Sequence, residues 1–288
     1  MARTSPTVAG WELMLRVREQ LATRGLKANQ VSKALDISGA YWSQVANYKG
    51  LLTEDKLSVL LDLLEFEPPE REELMQLREA AKGPNPYAEF SALFDDSLKR
   101  FYGLEDGAQS IRSFESSVIP GLLQTEDYIR VLMKAAVTTG RPTEVEPRVR
   151  ARKKRQNRLD GPDPLQLSVV VGQAALMCVV GGPEVQRAQL RHLQELVEAH
   201  PHTLDLRIIP FDAGGSLASL NAATFHLLDF NSARLPTIGW LETAIYGEIA
   251  DSSRHVEALE YLYSQVQAIA LDQADSLKLI DQIARQIG

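Results

Sequence analysis

The sequence changes character at one short stretch, Lys82-Gly-Pro-Asn-Pro86, which holds two prolines, a glycine and an asparagine. A helix cannot continue through this stretch, because proline lacks a backbone donor and the other two residue types favour turns. Before it, apolar residues recur at helical spacing in short segments, and after it helical and strand-like patterns mix. The 288 residues are therefore expected to form an all-α N-terminal domain and an α+β C-terminal domain.

Five short helices are predicted between residues 10 and 81. The second and third, at about residues 28–35 and 39–48, are joined by a tight turn. In the third helix Trp42 and Val45 share one face, which would contribute to a small apolar core. The residues expected at helix ends are Gly25, Ser38, Thr53 and Pro68, each of a type that is favoured at that position.

The second and third helices have the residue types of a DNA-reading pair. Two short helices joined by a tight turn can place the second one in the major groove, where its side chains reach base edges. Glutamine and asparagine pair with adenine, and alanine can meet the thymine methyl group. Base contacts are predicted for Ser38, Ala40, Tyr41, Ser43, Gln44 and Asn47, of which Tyr41 is expected to face outward, and phosphate contacts for Lys27, Asn29 and Lys49.

Beyond residue 86 the pattern predicts an α+β domain with a small mixed sheet. Consecutive strands without a helix between them occur from about residue 204 to residue 241, which argues against a doubly wound parallel sheet. The predicted strands are Gln109–Phe114, Leu167–Val171, Leu204–Ile209, Thr224–Leu228 and Thr237–Leu241. The predicted helices are Phe90–Tyr102, Glu126–Ala136, Thr143–Leu159, Pro183–His200, Arg254–Ala270 and Gln273–Ile287.

Two parts of the chain resemble a known family. Residues 26–38, with Ser43-Gln-Val-Ala-Asn47 and Lys49, resemble the helix-turn-helix of the XRE family, the Cro and phage-repressor type. The second part resembles the C-terminal domain of a large actinobacterial group of XRE regulators that are often described as antitoxin-like. The segments that carry this second resemblance are Phe114–Tyr128, the run ending in Arg155-Gln156, Gly181–Leu190, Ile209-Pro-Phe211, Phe225–Phe230 and Trp240–Thr243.

The resemblance implies a homodimeric, sequence-specific transcriptional regulator that binds a double-stranded DNA operator. We accordingly assign residues 8–66 to a helix-turn-helix domain, 67–86 to a bridging helix and linker, and 87–288 to an α+β regulatory and dimerisation domain. A small partner protein, common in that group, and a small-molecule effector are candidate ligands of the last domain. The alternative is an antitoxin-like interaction module whose main role is to bind the small partner. The chain departs from the family at Lys27-Ala28, where Thr-Gln is usual, and lacks the arginines common on the recognition helix.

The distribution of charge bears on DNA binding. The formal net charge is −7, and residues 1–66 hold eight basic and seven acidic side chains. Since phosphate neutralisation supplies most non-specific affinity, one copy should bind DNA weakly, and a dimer or a distinct partner would be needed. Residues 148–158 hold seven basic side chains and no acidic one. They form either a second nucleic-acid contact or, as we favour, a solvated helix face that pairs with acidic neighbours or helps to hold a partner.

Enzymatic chemistry is not expected. The sequence has no phosphate-binding loop, dinucleotide-binding glycine motif, zinc-protease motif or serine-hydrolase motif. No catalytic residue, cofactor or metal is therefore predicted. The single cysteine, Cys178, lies in an apolar run and is expected to be a buried small residue. No apolar stretch approaches the length of a membrane span, and the N-terminus lacks the apolar core of a signal peptide, so a cytoplasmic protein without membrane contact is expected.

Overall fold

Two compact units make up the computed structural model, which describes residues 4–135, 141–213, 224–243 and 246–287. The first unit runs to Ala88 and the second begins at Glu89, close behind the proline-containing stretch. The predicted combination of a helical N-terminal part with an α+β C-terminal part around a mixed sheet is confirmed.

The helices of the first unit begin and end at residues that satisfy their backbone groups. The Ser5 and Thr53 hydroxyls accept the Val8 and Lys56 N–H groups at 3.2 and 3.4 Å. The first helix ends at Gly25, whose φ of 63° is left-handed, as predicted for this glycine. The helices are α1 (Pro6–Arg24), α2 (Ala28–Ala34), α3 (Gly39–Ala46), α4 (Glu54–Leu63) and α5 (Pro68–Ala81).

One apolar core holds these five helices together. Trp42 and Val45 of α3 lie in it, as the helical spacing predicted, and are only 4% and 1% exposed. Val17 of α1, Leu61 of α4 and Leu74 of α5 belong to the same cluster. Because α3 is anchored through one face, its opposite face is left to solvent.

The helix that the sequence assigned to a bridge between domains, α5, is part of the first unit. It packs along α1, where the buried Arg16 guanidinium donates to Glu73 at 2.9 Å and to Glu70 at 3.3 Å. The buried Arg78 also donates, from Nε, to the Leu52 carbonyl at 2.9 Å. The first unit therefore continues past residue 66, where the predicted helix-turn-helix domain ends.

A six-stranded mixed sheet forms the centre of the second unit. Its order is β3-β2-β1-β4-β5-β6, with β1, β2 and β3 parallel and β4, β5 and β6 joined by antiparallel pairing. All five predicted strands are confirmed. The sixth was missed because its four residues, Gly-Glu-Ile-Ala, give no clear alternation. The strands are β1 (Ser110–Glu115), β2 (Gln166–Gly172), β3 (Leu204–Ile209), β4 (Phe225–Asp229), β5 (Ile238–Glu242) and β6 (Gly247–Ala250).

The helices of the second unit follow the predictions with one correction, and the short helix Gln173–Met177 was not predicted. The predicted helix Phe90–Tyr102 is wrong as a single element, because Asp95 accepts the Leu98 N–H at 2.8 Å and so begins a new helix after the 3₁₀ segment Ala88–Leu93. No described helix is long and apolar enough to span a membrane. The helices are α6 (Asp96–Gly107), α7 (Glu126–Ala135), α8 (Val145–Gln156), α9 (Gln173–Met177), α10 (Pro183–Ala199), α11 (Ser253–Ile269) and α12 (Gln273–Gln286).

The two faces of the sheet differ in chemistry. One face carries Phe114 and Phe225, and α11 packs on it through apolar residues such as Leu259. The alternation of side chains along a strand sends the neighbouring residues to the other face. There Phe101 of α6 stacks on Trp240 of β5, with ring centroids 4.5 Å apart. This second face also carries the buried charged groups described below.

Candidate nucleic-acid interface and buried polar cluster

The connection between α2 and α3 is built from local backbone contacts. The Lys27 N–H donates to Gln30 Oε1 at 2.8 Å, which satisfies one free donor at the start of α2 although the chain lacks a hydroxyl there. Asp36 turns the chain with a φ of 49°, a left-handed conformation that aspartate tolerates. Ser38 Oγ then accepts the Tyr41 N–H at 3.1 Å, so the predicted cap of α3 is confirmed.

Eight of the nine residues predicted to contact DNA are exposed. On α3 the exposed residues alternate with the buried pair Trp42 and Val45, which leaves small and amide side chains on one outward surface. The phosphate-contact candidates lie beside the start of α2 and after the end of α3. The exposed residues are Lys27, Asn29, Ser38, Ala40, Ser43, Gln44, Asn47 and Lys49.

Tyr41 departs from the expected outward orientation. Its ring is partly buried and packs against the core of the first unit, and its hydroxyl donates to the Leu51 carbonyl at 2.9 Å. This contact depends on where the segment after α3 returns, which helical spacing alone does not specify. A phenol engaged in this way supports the turn after α3 and is less available to a base.

Arg18 of α1 is a residue that the sequence reasoning missed. Its guanidinium donates to Tyr48 Oη at 3.0 Å, to Asn47 Oδ1 at 3.4 Å and to the Ala46 carbonyl, and lies 4.9 Å from the centroid of the Tyr48 ring. Asn47 is further engaged, because its amide donates to the Ser43 carbonyl at 2.8 Å. No local pattern could identify Arg18, since the contact arises from the packing of α1 against α3.

Two arginines of the basic run of residues 148–158 are buried in the second unit. Arg155 donates from Nε and Nη2 to the Glu105 carboxylate at 2.6 and 2.7 Å, and both side chains are buried. Arg158, also buried, donates to the Ala108 and Asp163 carbonyls at 2.8 and 3.0 Å. The expected solvent exposure is therefore wrong for these two arginines, which replace water by internal acceptors. The expected pairing with acidic neighbours is confirmed at Arg155 and at Lys154, which pairs with Glu89.

Cys178 is exposed, which corrects the expectation of a buried position. It directly follows the short helix α9, whose Ala175 and Leu176 are the residues that point inward. The apolar run around it was misleading because α9 interrupts that run and turns its end to the surface.

A buried polar cluster lies on the α6 and α8 side of the sheet. Ser113, His226 and Trp240 are cross-strand neighbours on β1, β4 and β5. Glu115, at the carboxyl end of β1, is 4% exposed and accepts the Thr224 hydroxyl at 2.8 Å. His226 Nε2 lies 3.9 Å from Glu115 Oε1. Sequence reasoning did not identify this cluster, because its members are far apart in the chain.

Burial keeps the Glu115 and His226 pair uncharged near neutral pH. Burial, with the negative charge of Glu242, raises the pKa of Glu115 to about 8. Burial, with the positive charge of Arg155, lowers the pKa of His226 to about 3. At pH 7 the carboxyl group is therefore protonated and the imidazole is neutral, so their proximity is not an ion pair.

Arg152 is the cationic group beside this pair. Its Nη1 donates to Gln124 Oε1 at 2.8 Å, and Gln124 in turn donates to the Ile119 carbonyl at 2.6 Å. Removal from water lowers the pKa of Arg152, an effect that the nearby Tyr102, Glu242 and Glu115 only partly offset. In this cluster the Arg152 guanidinium is hydrogen-bonded to a neutral amide, and the neighbouring Glu115 and His226 are both uncharged at pH 7. In the described part of the chain no group of histidine, cysteine and acidic residues is arranged to hold a metal ion.

Comparison with known proteins identifies a family for the second unit only. No curated protein and no solved structure matches the chain. A family model described as a domain of unknown function, DUF5753, matches residues 98–282, all of which lie in the second unit. Since this match covers more than half of the 288 residues, the protein belongs to the DUF5753 family.

Proposed function

We propose that the protein is a sequence-specific DNA-binding transcriptional regulator of the helix-turn-helix type, acting as a homodimer. The observation that carries the proposal is the outward surface of α3, where Ala40, Ser43 and Gln44 are exposed while Trp42 and Val45 anchor the helix. A short helix held by one face and presented after a capped turn has the form that enters the major groove in such domains.

Gln44 is the leading candidate for base recognition. It is exposed, and its amide can donate to and accept from one adenine at the same time. Asn47 has the same chemistry, but its amide is engaged by Ser43 and Arg18 and would have to exchange these bonds for a base. Arg18 thus has two roles in the proposal, since it fixes the end of α3 and places a cation beside it.

Dimerisation is part of the proposal because the first unit carries little excess charge. Eight basic and seven acidic side chains in residues 1–66 offer few phosphate contacts beyond Lys27, Lys49 and Arg18. Two reading heads on one operator double the number of placed contacts. The second unit is proposed to join the two copies and to receive a signal.

We expect Gln44→Ala to relax base preference at one operator position by about 1 to 3 kcal/mol. The measurement is a gel shift against the DNA upstream of the protein's own gene, with single-base variants and at two salt concentrations. Gln76→Ala removes an exposed glutamine from α5 of the same unit and should leave the preference unchanged. Absence of any sequence preference at the lower salt concentration would contradict the proposal.

A second candidate function is binding of a small partner protein in an antitoxin-like role. Large apolar residues of the second unit are exposed after β2 and β3, where Phe211 is 67% exposed, and before β6 at the other end of the strand order, where Tyr246 is 59% exposed. The Phe211 N–H donates to Gln173 Oε1 at 2.8 Å, which ties this residue to the end of β2. The apolar rim proposed for the partner consists of the residues that follow β2 and β3, which are Met177, Val179 and Phe211. Such an apolar rim is typical of interaction surfaces.

The test of this second function is co-purification with the product of a small reading frame encoded beside the gene. Phe211→Ser should reduce the recovered partner at least tenfold, because it removes the most exposed apolar side chain of the rim. Tyr261→Ser is the matched control, since Tyr261 is 65% exposed but lies on α11. Equal loss with both variants, or no loss with either, would count against this surface.

A further inference from the structure

We propose that the second unit binds a small molecule through an oxyanion group, a carboxylate or a phosphate, which Arg152 holds beside Glu115. All groups involved lie in the second unit, so the inference does not depend on DNA binding by the first. The site is at the carboxyl end of β1, the edge of a parallel sheet at which ligands commonly bind.

The first argument is the local balance of charge. Of the two arginines that α8 directs at the cluster, Arg155 is matched by Glu105 in a two-bond ion pair. Arg152 has no such match, since among the described residues its hydrogen-bond partner is the neutral Gln124 and no carboxylate lies within 4.0 Å of it. A partly buried guanidinium without a directly paired carboxylate is costly unless an anion joins it.

The second argument is that the neighbouring acid does not supply that anion at neutral pH. The groups that face Glu115 are Thr224 and His226 of the β4 strand region, Glu242 of β5, and Arg152 and Arg155 of α8. Burial and Glu242 together raise the pKa of Glu115 to about 8 despite both arginines. A protonated carboxyl group beside Arg152 adds a hydrogen-bond donor toward an incoming oxyanion.

The third argument is the set of buried donors left over on this face of the sheet. Within the described residues, Trp240 Nε1 and Ser113 Oγ are buried and have no hydrogen-bond partner. They flank His226 in the strand register, on the same face as Glu115. Unused donors on the same sheet face as Glu115 favour a ligand that is rich in acceptor oxygens over a cation.

The test titrates the full chain with sodium phosphate and with sodium acetate at pH 6.5, against sodium chloride at equal ionic strength. Trp240 is the only tryptophan of the second unit, since the other two are Trp11 and Trp42, so a Trp11→Phe, Trp42→Phe background isolates its fluorescence. We expect a saturable fluorescence change with one of the two anions and none with chloride. Saturation by acetate indicates a carboxylate ligand, and saturation by phosphate a phosphorylated one.

Variants separate this site from general ionic effects. Arg152→Gln should lower the affinity for the anion at least tenfold. Arg150→Gln, which removes an exposed arginine of the same helix, should leave this affinity unchanged. In the unaltered protein the ionised Glu115 should repel the anion at pH 9 and lower the affinity for it at least tenfold. Glu115→Gln should bind the anion at pH 9 as tightly as at pH 6.5. If both arginine variants behave alike, if the pH response persists in Glu115→Gln, or if neither anion differs from chloride, the proposal is wrong.

Discussion

Replacing Glu105 with glutamine should lower the free energy of unfolding of the second unit by about 3 to 5 kcal/mol. Glu105 is 2% exposed and Arg155 is 7% exposed, and the two are joined by two short hydrogen bonds. The neutral amide would remove the carboxylate with which the buried guanidinium pairs. The Tyr102 ring, whose centroid lies 4.3 Å from Arg155 Cζ, can compensate only a small part of that loss.

Denaturant unfolding followed by Trp240 fluorescence in the Trp11→Phe, Trp42→Phe background measures this effect, because the other two tryptophans lie in the first unit. The matched control is Glu89→Gln, which removes an exposed partner of Lys154 on the same helix as Arg155. A surface pair of this kind contributes about 0 to 1 kcal/mol. If the two variants were equally stable, the buried pair would not have the structural role assigned to it.

The second large effect concerns pH. Glu115 has a pKa of about 8 in the folded protein and an ordinary value near 4.5 when unfolded, so folding favours its protonated form. Its contribution is fully present below pH 4.5 and is lost as the pH rises toward 8, a loss on the order of 5 kcal/mol. His226 acts in the opposite direction, because its pKa falls from 6.5 to about 3, and stability is lost as the pH falls below 6.5.

We therefore expect the second unit to be most stable between about pH 4.5 and 6.5. Glu115→Gln should abolish the decline above pH 6.5, and the decline on the acid side, which comes from His226, should then begin below pH 6.5. Thermal unfolding at half-unit steps from pH 4 to 9, again followed by Trp240, provides the measurement. Glu248→Gln, on the exposed surface of β6, should leave both declines unchanged. If stability still declined above pH 6.5 in Glu115→Gln, a group other than Glu115 would be responsible for the decline.

Features encoded by short stretches of sequence were predictable. The cap at Ser38, the left-handed end at Gly25 and the inward phase of Trp42 and Val45 each depend on residues within one or two helical turns. The strands were predictable for a similar reason, since a period of two is visible in five or six residues. β6 escaped because Gly247–Ala250 is too short to display a period.

The buried cluster could not be predicted, because its chemistry comes from contacts between distant residues. Arg155 looks like a surface residue in a basic run until Glu105, fifty positions earlier, is brought against it. Glu115 looks like an ordinary strand-end carboxylate until the sheet places His226 beside it. Tyr41 likewise needed the return of the chain at Leu51 before its hydroxyl had a partner.

The position of β1 in the sheet also constrains when the second unit can form during synthesis. β1 lies between β2 and β4, and its Ser110 pairs with Asp229, 119 positions later. The first unit uses contacts within its own 88 or so residues, so it can fold while most of the chain is still on the ribosome. Formation of the sheet has to await the last third of the chain and close a large loop, which makes it the slower step. A nascent chain of this protein would therefore carry a finished first unit ahead of an unfinished second one.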